Sequence, residues 1–241
     1  MKKVLLALPA VLALVPAGHA LPEARPGPAC ATSVTVGSAR LAYLAVVKSS
    51  ARAFRAPGHR PFARFGRTNV NGARTVFSIR DAVLDRNCQP AWYHVQLPLK
   101  PNGVTGYVAA RSVLVEVVRT RIVVDLSARR LTFFRNGRPV LHVPVAVGSS
   151  ATPTPRGNFY VNQRVVPADP TGPFGPAALG ISAFSPVLTH WAQGGPIAVH
   201  GTNDPGSIGR AASTGCIRVR NDVMRKLFAA TPAGTPVSIR A

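Results

Sequence analysis

At 241 residues, with 46% hydrophobic and only 15% charged side chains, the chain is larger than one small core needs and too apolar to stay disordered. Its 21 glycines and 23 prolines exclude a coiled coil and fit a loop-rich, mostly β protein of two modest domains. A formal net charge of +21 points to a polyanionic partner or, equally well, to solubility alone; no basic arm interleaved with aromatics is present, so nucleic acid is disfavoured against anionic cell-wall polymers.

In chain order, Met1-Lys2-Lys3, the apolar run Val4 to Val15 and the small residues Ala17-Gly18-His19-Ala20 have the layout of a signal peptide over 1–20. That run is too short to span a bilayer and no later one approaches spanning length. An exported protein without a membrane span, periplasmic or wall associated, is expected. Residues 21–29 are Pro-rich, which resists regular structure and reads as a tether. Lipid attachment at Cys30 is the rival, but Gly27-Pro28-Ala29 lacks the leucine such a site needs.

Three cysteines in an oxidising compartment imply one disulfide and one leftover thiol. Cys30 and Cys88 bracket the first candidate domain, whereas Cys216 lies in a later segment with its own signature. A Cys30–Cys88 bridge and a free Cys216 are therefore expected.

Over 30–117, apolar runs at Leu41 to Val47, Thr75 to Ile79, Trp92 to Leu97, Thr105 to Val108 and Val113 to Val118 alternate with turn signals, which predicts a small all-β domain. Pro101-Asn102-Gly103 supplies hairpin turn chemistry between two of them. The stretch Trp92 to Val108 resembles the last hairpin of bacterial SH3-like barrels, which implies a small SH3-like barrel.

From 118 to 241, Ile122 to Leu126, Arg130 to Phe134 and Pro139 to Val147 read as a β-meander, with Asn136-Gly137 at a turn. A loop at Gly148 to Gly157 precedes a strand from Asn158 to Val166. Residues 167–196, rich in Pro and Gly, read as an irregular flap over a site. The spacing predicts a short helix with Asn221 as N-cap, Asp222 in its first turn and Val223, Met224, Leu227 and Phe228 on one face. Gly234-Thr235-Pro236-Val237-Ser238-Ile239 closes with a turn and a strand.

Chemistry concentrates in Ile197-Ala198-Val199-His200-Gly201 and in Ser213-Thr214-Gly215-Cys216-Ile217-Arg218, whose cysteine lies sixteen positions after the histidine. A thiol of ordinary pKa is mostly protonated at neutral pH, so a nucleophilic Cys216 needs a base such as His200 nearby. Gly201 leaves the backbone beside that histidine uncrowded. Gly215 permits unusual angles and close approach of a substrate carbonyl, with the N–H groups of Thr214, Gly215 and Cys216 as candidate oxyanion donors. Arg218 either holds a substrate carboxylate or supports the loop, and Ser213 bonds the loop. Taken singly, a buried cysteine is more often packing and a lone histidine more often structural; their combination favours catalysis. A zinc site from His190, His200 and Cys216 lacks close paired ligands. His59, His94 and His142 show no recognisable partners.

These segments, together with Val124-Asp125-Leu126-Ser127 and Pro153-Thr154-Pro155-Arg156-Gly157-Asn158-Phe159, resemble the signature of the L,D-transpeptidase catalytic family, in register from about 119 to 241. The resemblance implies a β-sandwich or meander catalytic domain over 118–241 with one or two short helices. It implies Cys216 as nucleophile, His200 as base oriented by a backbone carbonyl at Gly201, and no metal or organic cofactor. Peptidoglycan stem peptides are the implied substrate, acylated on Cys216 and resolved into 3–3 cross-links; carbapenems are implied acylating agents. Many members carry histidine where this chain has Thr214, a departure that bears on specificity and rate. L,D-carboxypeptidase trimming and a non-catalytic wall-binding protein are the alternatives, and a monomer is expected.

Overall fold

Alternating apolar residues turn most of the chain into strands, and in the computed structural model, which describes residues 32–188 and 190–241, these sort into two large sheets. The segments read as signal peptide and tether, and Cys30, lie outside the described residues. Cys88 is disulfide-bonded and Cys216 is a free thiol. No helix among the described residues is long and apolar enough to cross a membrane.

The first sheet contains β1 (Ser33–Thr35), β2 (Ala42–Val47), β3 (Ser50–Phe54), β4 (Pro61–Gly66), β5 (Val76–Leu84), β6 (Pro90–Gln96), β7 (Thr105–Ala109) and β8 (Val113–Val118). Its order is β4-β3-β7-β6-β5-β2-β8, with β1 added on β5. Ala45, Val47, Phe77, Val95, Leu97 and Val108 form its core. The hairpin expected at Pro101-Asn102-Gly103 joins β6 to β7, but through a wider loop in which only Gly103 takes a positive φ, 87°. Asn102 is engaged elsewhere, its amide pairing reciprocally with the backbone N–H and carbonyl of Phe184 at 2.8 Å each. His94 is not without partners: it lies 3.0 Å from Asp81 and stacks on Tyr107. Likewise His142 meets the Thr132 hydroxyl at 2.8 Å. Both pairs link adjacent strands, which a linear reading cannot align.

The second sheet draws on β9 (Thr120–Asp125), β10 (Arg130–Arg135), β11 (Arg138–Pro144), β13 (Gly157–Val165), β14 (Ala178–Phe184), β15 (Pro196–His200), β17 (Ile217–Arg218) and β18 (Pro236–Arg240). The order is β11-β10-β9-β18-β13-β14-β15-β17, and a short parallel pair, β12 (Val147–Gly148) with β16 (Ala211–Ser213), stands beside it. The segment 167–196 is therefore not an unbroken flap, since β14 runs through its middle with Ala178 to Ala183 all buried. Flanking Pro and Gly and few β-branched residues hide that strand from a propensity reading. Its small side chains suit a position between two neighbouring strands.

The one α-helix among the described residues, α1 (Asn221–Ala230), buries Val223, Met224 and Leu227 against this sheet. Arg220, not Asn221, occupies its N-cap, and no side chain caps it. The Asn221 carboxamide oxygen instead accepts the Thr202 N–H at 2.8 Å. That competing contact ties the helix start to the residues after β15.

The two sheets share a third core of Leu44, Val46, Val76, Val118 and Tyr160. Tyr160 is fully buried, which raises its phenol pKa far above the usual value, and its hydroxyl donates to the Val76 carbonyl at 3.1 Å. Gln96 adds a hydrogen bond to the Asn158 carbonyl at 2.8 Å.

Candidate active site

Strand β15 ends at His200, and β17 begins one residue after Cys216. The strands are parallel, with Val199 opposite Ile217 and His200 opposite Arg218. Extending that register by one places Cys216 beside Ala198, so alternation puts the Cys216 and His200 side chains on one face as diagonal neighbours. Val199 and Ile217 take the other face and are fully buried in the core. Sixteen positions of sequence thus collapse to two adjacent strands.

That face opens on a cavity of about 600 Å³ lined by Ser213, Thr214, Cys216, Arg218 and His200, and also by Phe174, Trp191 and Gln193. His200 is only 4% exposed, and its Nδ1 lies 2.6 Å from the Gly201 carbonyl oxygen. A carbonyl only accepts, so Nδ1 carries the proton and Nε2 keeps its lone pair in the neutral ring. The Phe174 ring meets the imidazole edge-on at 5.0 Å. Burial drives the His200 pKa down from 6.5 to about 4, against the Gly201 hydrogen bond and helped by the nearby Arg218 charge. Burial also pushes the Cys216 thiol up, while hydrogen bonding to the Ala198 backbone and the Arg218 guanidinium oppose it. At neutral pH the resting pair is a thiol and a neutral imidazole.

Gly201 is dictated by packing: a Cβ there would collide with the Asn221 carboxamide oxygen and approach Pro176 Cδ to 2.8 Å. The Cys216 loop is fixed by its own hydrogen bonds. Ser213 Oγ donates to the Cys216 carbonyl and accepts the Gly215 N–H at 3.2 Å. Gly215 has φ 114°, closed to ordinary side chains. Its N–H is engaged by Ser213, which leaves Thr214 and Cys216 of the three expected oxyanion donors. Arg218 lines the cavity with its Nε buried and unpaired, and its Nη1 stands 3.9 Å from Asp204.

Several contributors were not singled out from the sequence. Thr154, 5% exposed, donates to the Gly215 carbonyl at 2.8 Å and accepts the Gly148 N–H at 2.8 Å. Thr152 donates to the Ser213 carbonyl at 3.0 Å. The Pro-Thr-Pro loop is thus the support beneath the nucleophile candidate, and its quoted motif was the available signal. Gln163 and Gln193 line the cavity while bonding to Asn69 and Asn71 of the first sheet's β4–β5 connection. Nothing in local sequence announces that contact. No group of three His, Cys, Asp or Glu side chains among the described residues is gathered closely enough to hold a metal.

The family model of the YkuD L,D-transpeptidase catalytic domain matches residues 119–239. The YkuD protein of Bacillus licheniformis, named as an L,D-transpeptidase, is 38% identical over 137 residues, covering 54% of this chain and 75% of that protein. Its Bacillus subtilis counterpart is 35% identical over 149 residues, covering 59% and 83%. A solved Enterococcus faecium L,D-transpeptidase aligns at 24% identity and a TM-score of 0.40, covering 50% of this chain and 49% of that one. The chain spans about half of that structure, and the weight rests on the sequence match. With the motif strands paired around one cavity and the family model covering half the sequence, the chain belongs to the YkuD family of L,D-transpeptidases.

Proposed function

We propose that the protein is an exported, Cys216-dependent L,D-transpeptidase that forms 3–3 cross-links between peptidoglycan stem peptides. The observation that carries this reading is the parallel register that aligns Cys216 and His200 on one face of a 600 Å³ cavity. The neutral pair at rest calls for deprotonation in step with attack. As Sγ approaches the carbonyl of the third stem residue, His200 Nε2 takes the thiol proton and the Gly201 carbonyl steadies the imidazolium through Nδ1–H. The carbon–sulfur bond forms as the S–H bond breaks and the carbonyl opens to an oxyanion, held by the Thr214 and Cys216 N–H groups.

Collapse breaks the bond to terminal D-alanine, whose amine leaves with the proton from Nε2, and a thioester remains. The amine of a neighbouring stem then attacks the thioester, gives its proton to His200, and releases the Cys216 thiol. His200 is buried and Cys216 half-buried, which withdraws the pair from bulk water and favours transfer to an amine over hydrolysis. Water in the second step gives L,D-carboxypeptidase trimming, the second reading, favoured by the exposed Trp191 and Phe174 at 55% and 49%, which leave the cavity partly open. The first sheet and the positive charge serve to hold the enzyme at its polymer.

The test is mass analysis of products from purified protein and tetrapeptide muropeptides, beside Cys216→Ala and a carbapenem-treated sample. Cross-linked dimers and a carbapenem adduct on Cys216 are expected, both absent in the variant. Dimers undiminished in Cys216→Ala would falsify the mechanism.

A further inference from the structure

Every acidic side chain among the described residues has a partner inside the chain. Asp81 meets His94, Glu116 meets Arg74, Asp204 faces Arg218 and Asp222 holds Arg220. Asp85, Asp125 and Asp169 accept N–H and hydroxyl groups of their own turns. Guanidinium groups gathered elsewhere find no acidic side chain left over among the described residues.

One such gathering is built by the fold. The β10–β11 hairpin turns at Asn136 and Gly137, with φ of 52° and 78°, and sets Arg135 directly opposite Arg138. Like charges in that position repel. The turn is anchored by the Asn136 N–H on the Arg119 carbonyl at 2.7 Å. Across it lies the stem of Arg40, from the connection before β2: a Cβ on residue 137 would come within 2.7 Å of Arg40 Cγ, so Gly137 is what admits it. Arg40, Arg135 and Arg138 then line one cleft of about 450 Å³ with Asn136, Gly137 and Val140. Among the described residues, none of the three belongs to an ion pair and no carboxylate lines the cleft.

An external anion relieves this repulsion. Three planar guanidinium forks carry more charge and more donors than one carboxylate or one phosphodiester, each with two acceptor oxygens, can satisfy, whereas consecutive phosphodiesters of one polymer match them. The cleft exceeds a single ion and suits a segment of chain. We propose that the Arg40–Arg135–Arg138 cleft is a binding site for the phosphate groups of a phosphodiester-bearing partner, by which the enzyme docks on its polyanionic surroundings. The site lies on residues outside the Cys216 cavity and needs both sheets to exist.

The test titrates the full protein with tripolyphosphate by calorimetry at several salt concentrations. It compares the wild type with the combined R40Q, R135Q and R138Q variant and with a control of equal charge carrying R86Q, R111Q and R225Q. Salt-sensitive binding is expected in the wild type, within about twofold in the control and weakened about tenfold or more in the cleft variant. Equal weakening in both variants, or no binding by the wild type, overturns the site. Removing mutual repulsion leaves the cleft variant at least as thermostable as the wild type without phosphate, and it loses the rise in Tm that phosphate gives. If it proves unstable, R40Q alone repeats the comparison.

Turnover of soluble muropeptides by the cleft variant is expected at the wild-type rate, so failure of the docking site and failure of the proposed reaction read out separately. Isolated walls before and after chemical removal of phosphodiester polymers, and vesicles of anionic phospholipid, then assign the source to wall polymer or lipid headgroup.

Discussion

Two sides of the cavity that holds Cys216 and His200 are held by different parts of the molecule. The Cys216 side is fastened within the second sheet, by Ser213 around the loop and by Thr152 and Thr154 beneath it. The side carrying Gln193 is fastened from the first sheet: Gln193 and Asn71 exchange amide hydrogen bonds at 2.9 and 3.3 Å, and Asn69 and Asn71 both donate to Gln163 at 2.9 Å. Gln193 also adopts φ 57°, followed by Gly194 and Gly195 at 79° and 72°. A non-glycine residue in that region costs on the order of 1–2 kcal/mol and persists where its surroundings hold it. One side is therefore set by the chemistry-bearing segment itself, and the other is on loan from a neighbour. The lesson is that nucleophile geometry and cavity shape can vary independently.

The sharpest way to break the contrast is at the nucleophile side. His200→Gln, which keeps volume but removes the base, is expected to lower kcat/KM by ~10²–10⁴-fold with the fold intact, measured by muropeptide turnover and thermal melting. An unchanged kcat/KM refutes the base assignment. Next, Thr154→Val leaves the buried Gly215 carbonyl and Gly148 N–H without their partner, at a cost of about 1–3 kcal/mol each way it is read. Loss of kcat is expected to exceed the change in KM, because the loop that carries Cys216 shifts. Gly201→Ala should cost about 1–3 kcal/mol through overpacking against Asn221, seen as a lowered Tm, with Asn221→Gly restoring part of it.

Acid offers a subtler probe of the same side. His200 holds its proton more weakly folded, near pH 4, than unfolded, near 6.5. Its contribution to stability is complete above pH 6.5 and is lost as pH falls toward 4, up to on the order of 3 kcal/mol. In denaturant melts between pH 7 and 4 the wild type should lose stability relative to His200→Gln as pH drops; parallel curves would refute a buried neutral imidazole.

The smallest effect is expected from the borrowed side. Asn71→Leu removes the clamp on Gln193 and Gln163 while leaving the Cys216 loop untouched. A few-fold rise in KM and a shift of products toward hydrolysis are expected, with kcat for acylation nearly constant. Gln193→Gly should mimic it, and the double variant should be no worse than either alone. Additive losses, or an equal fall in kcat, would make the two sides equivalent.

Local sequence carried much of the catalytic region. The order of His200-Gly201 and Ser213 to Arg218, the β-meander from Ile122 and the helix face Val223, Met224 and Leu227 follow from residue types at short spacing, because alternation and helical period are properties of neighbouring residues. So does the need for glycine at 215, whose φ of 114° few side chains tolerate. The tertiary structure alone decided that β14 crosses the supposed flap, that Asn221 serves Thr202 rather than its own helix, and that Asn102, Asn69 and Asn71 bond to the second sheet. Those outcomes depend on which distant strands pair and in what register. Such pairing is fixed by the summed burial of both sheets, and no window of the chain contains it.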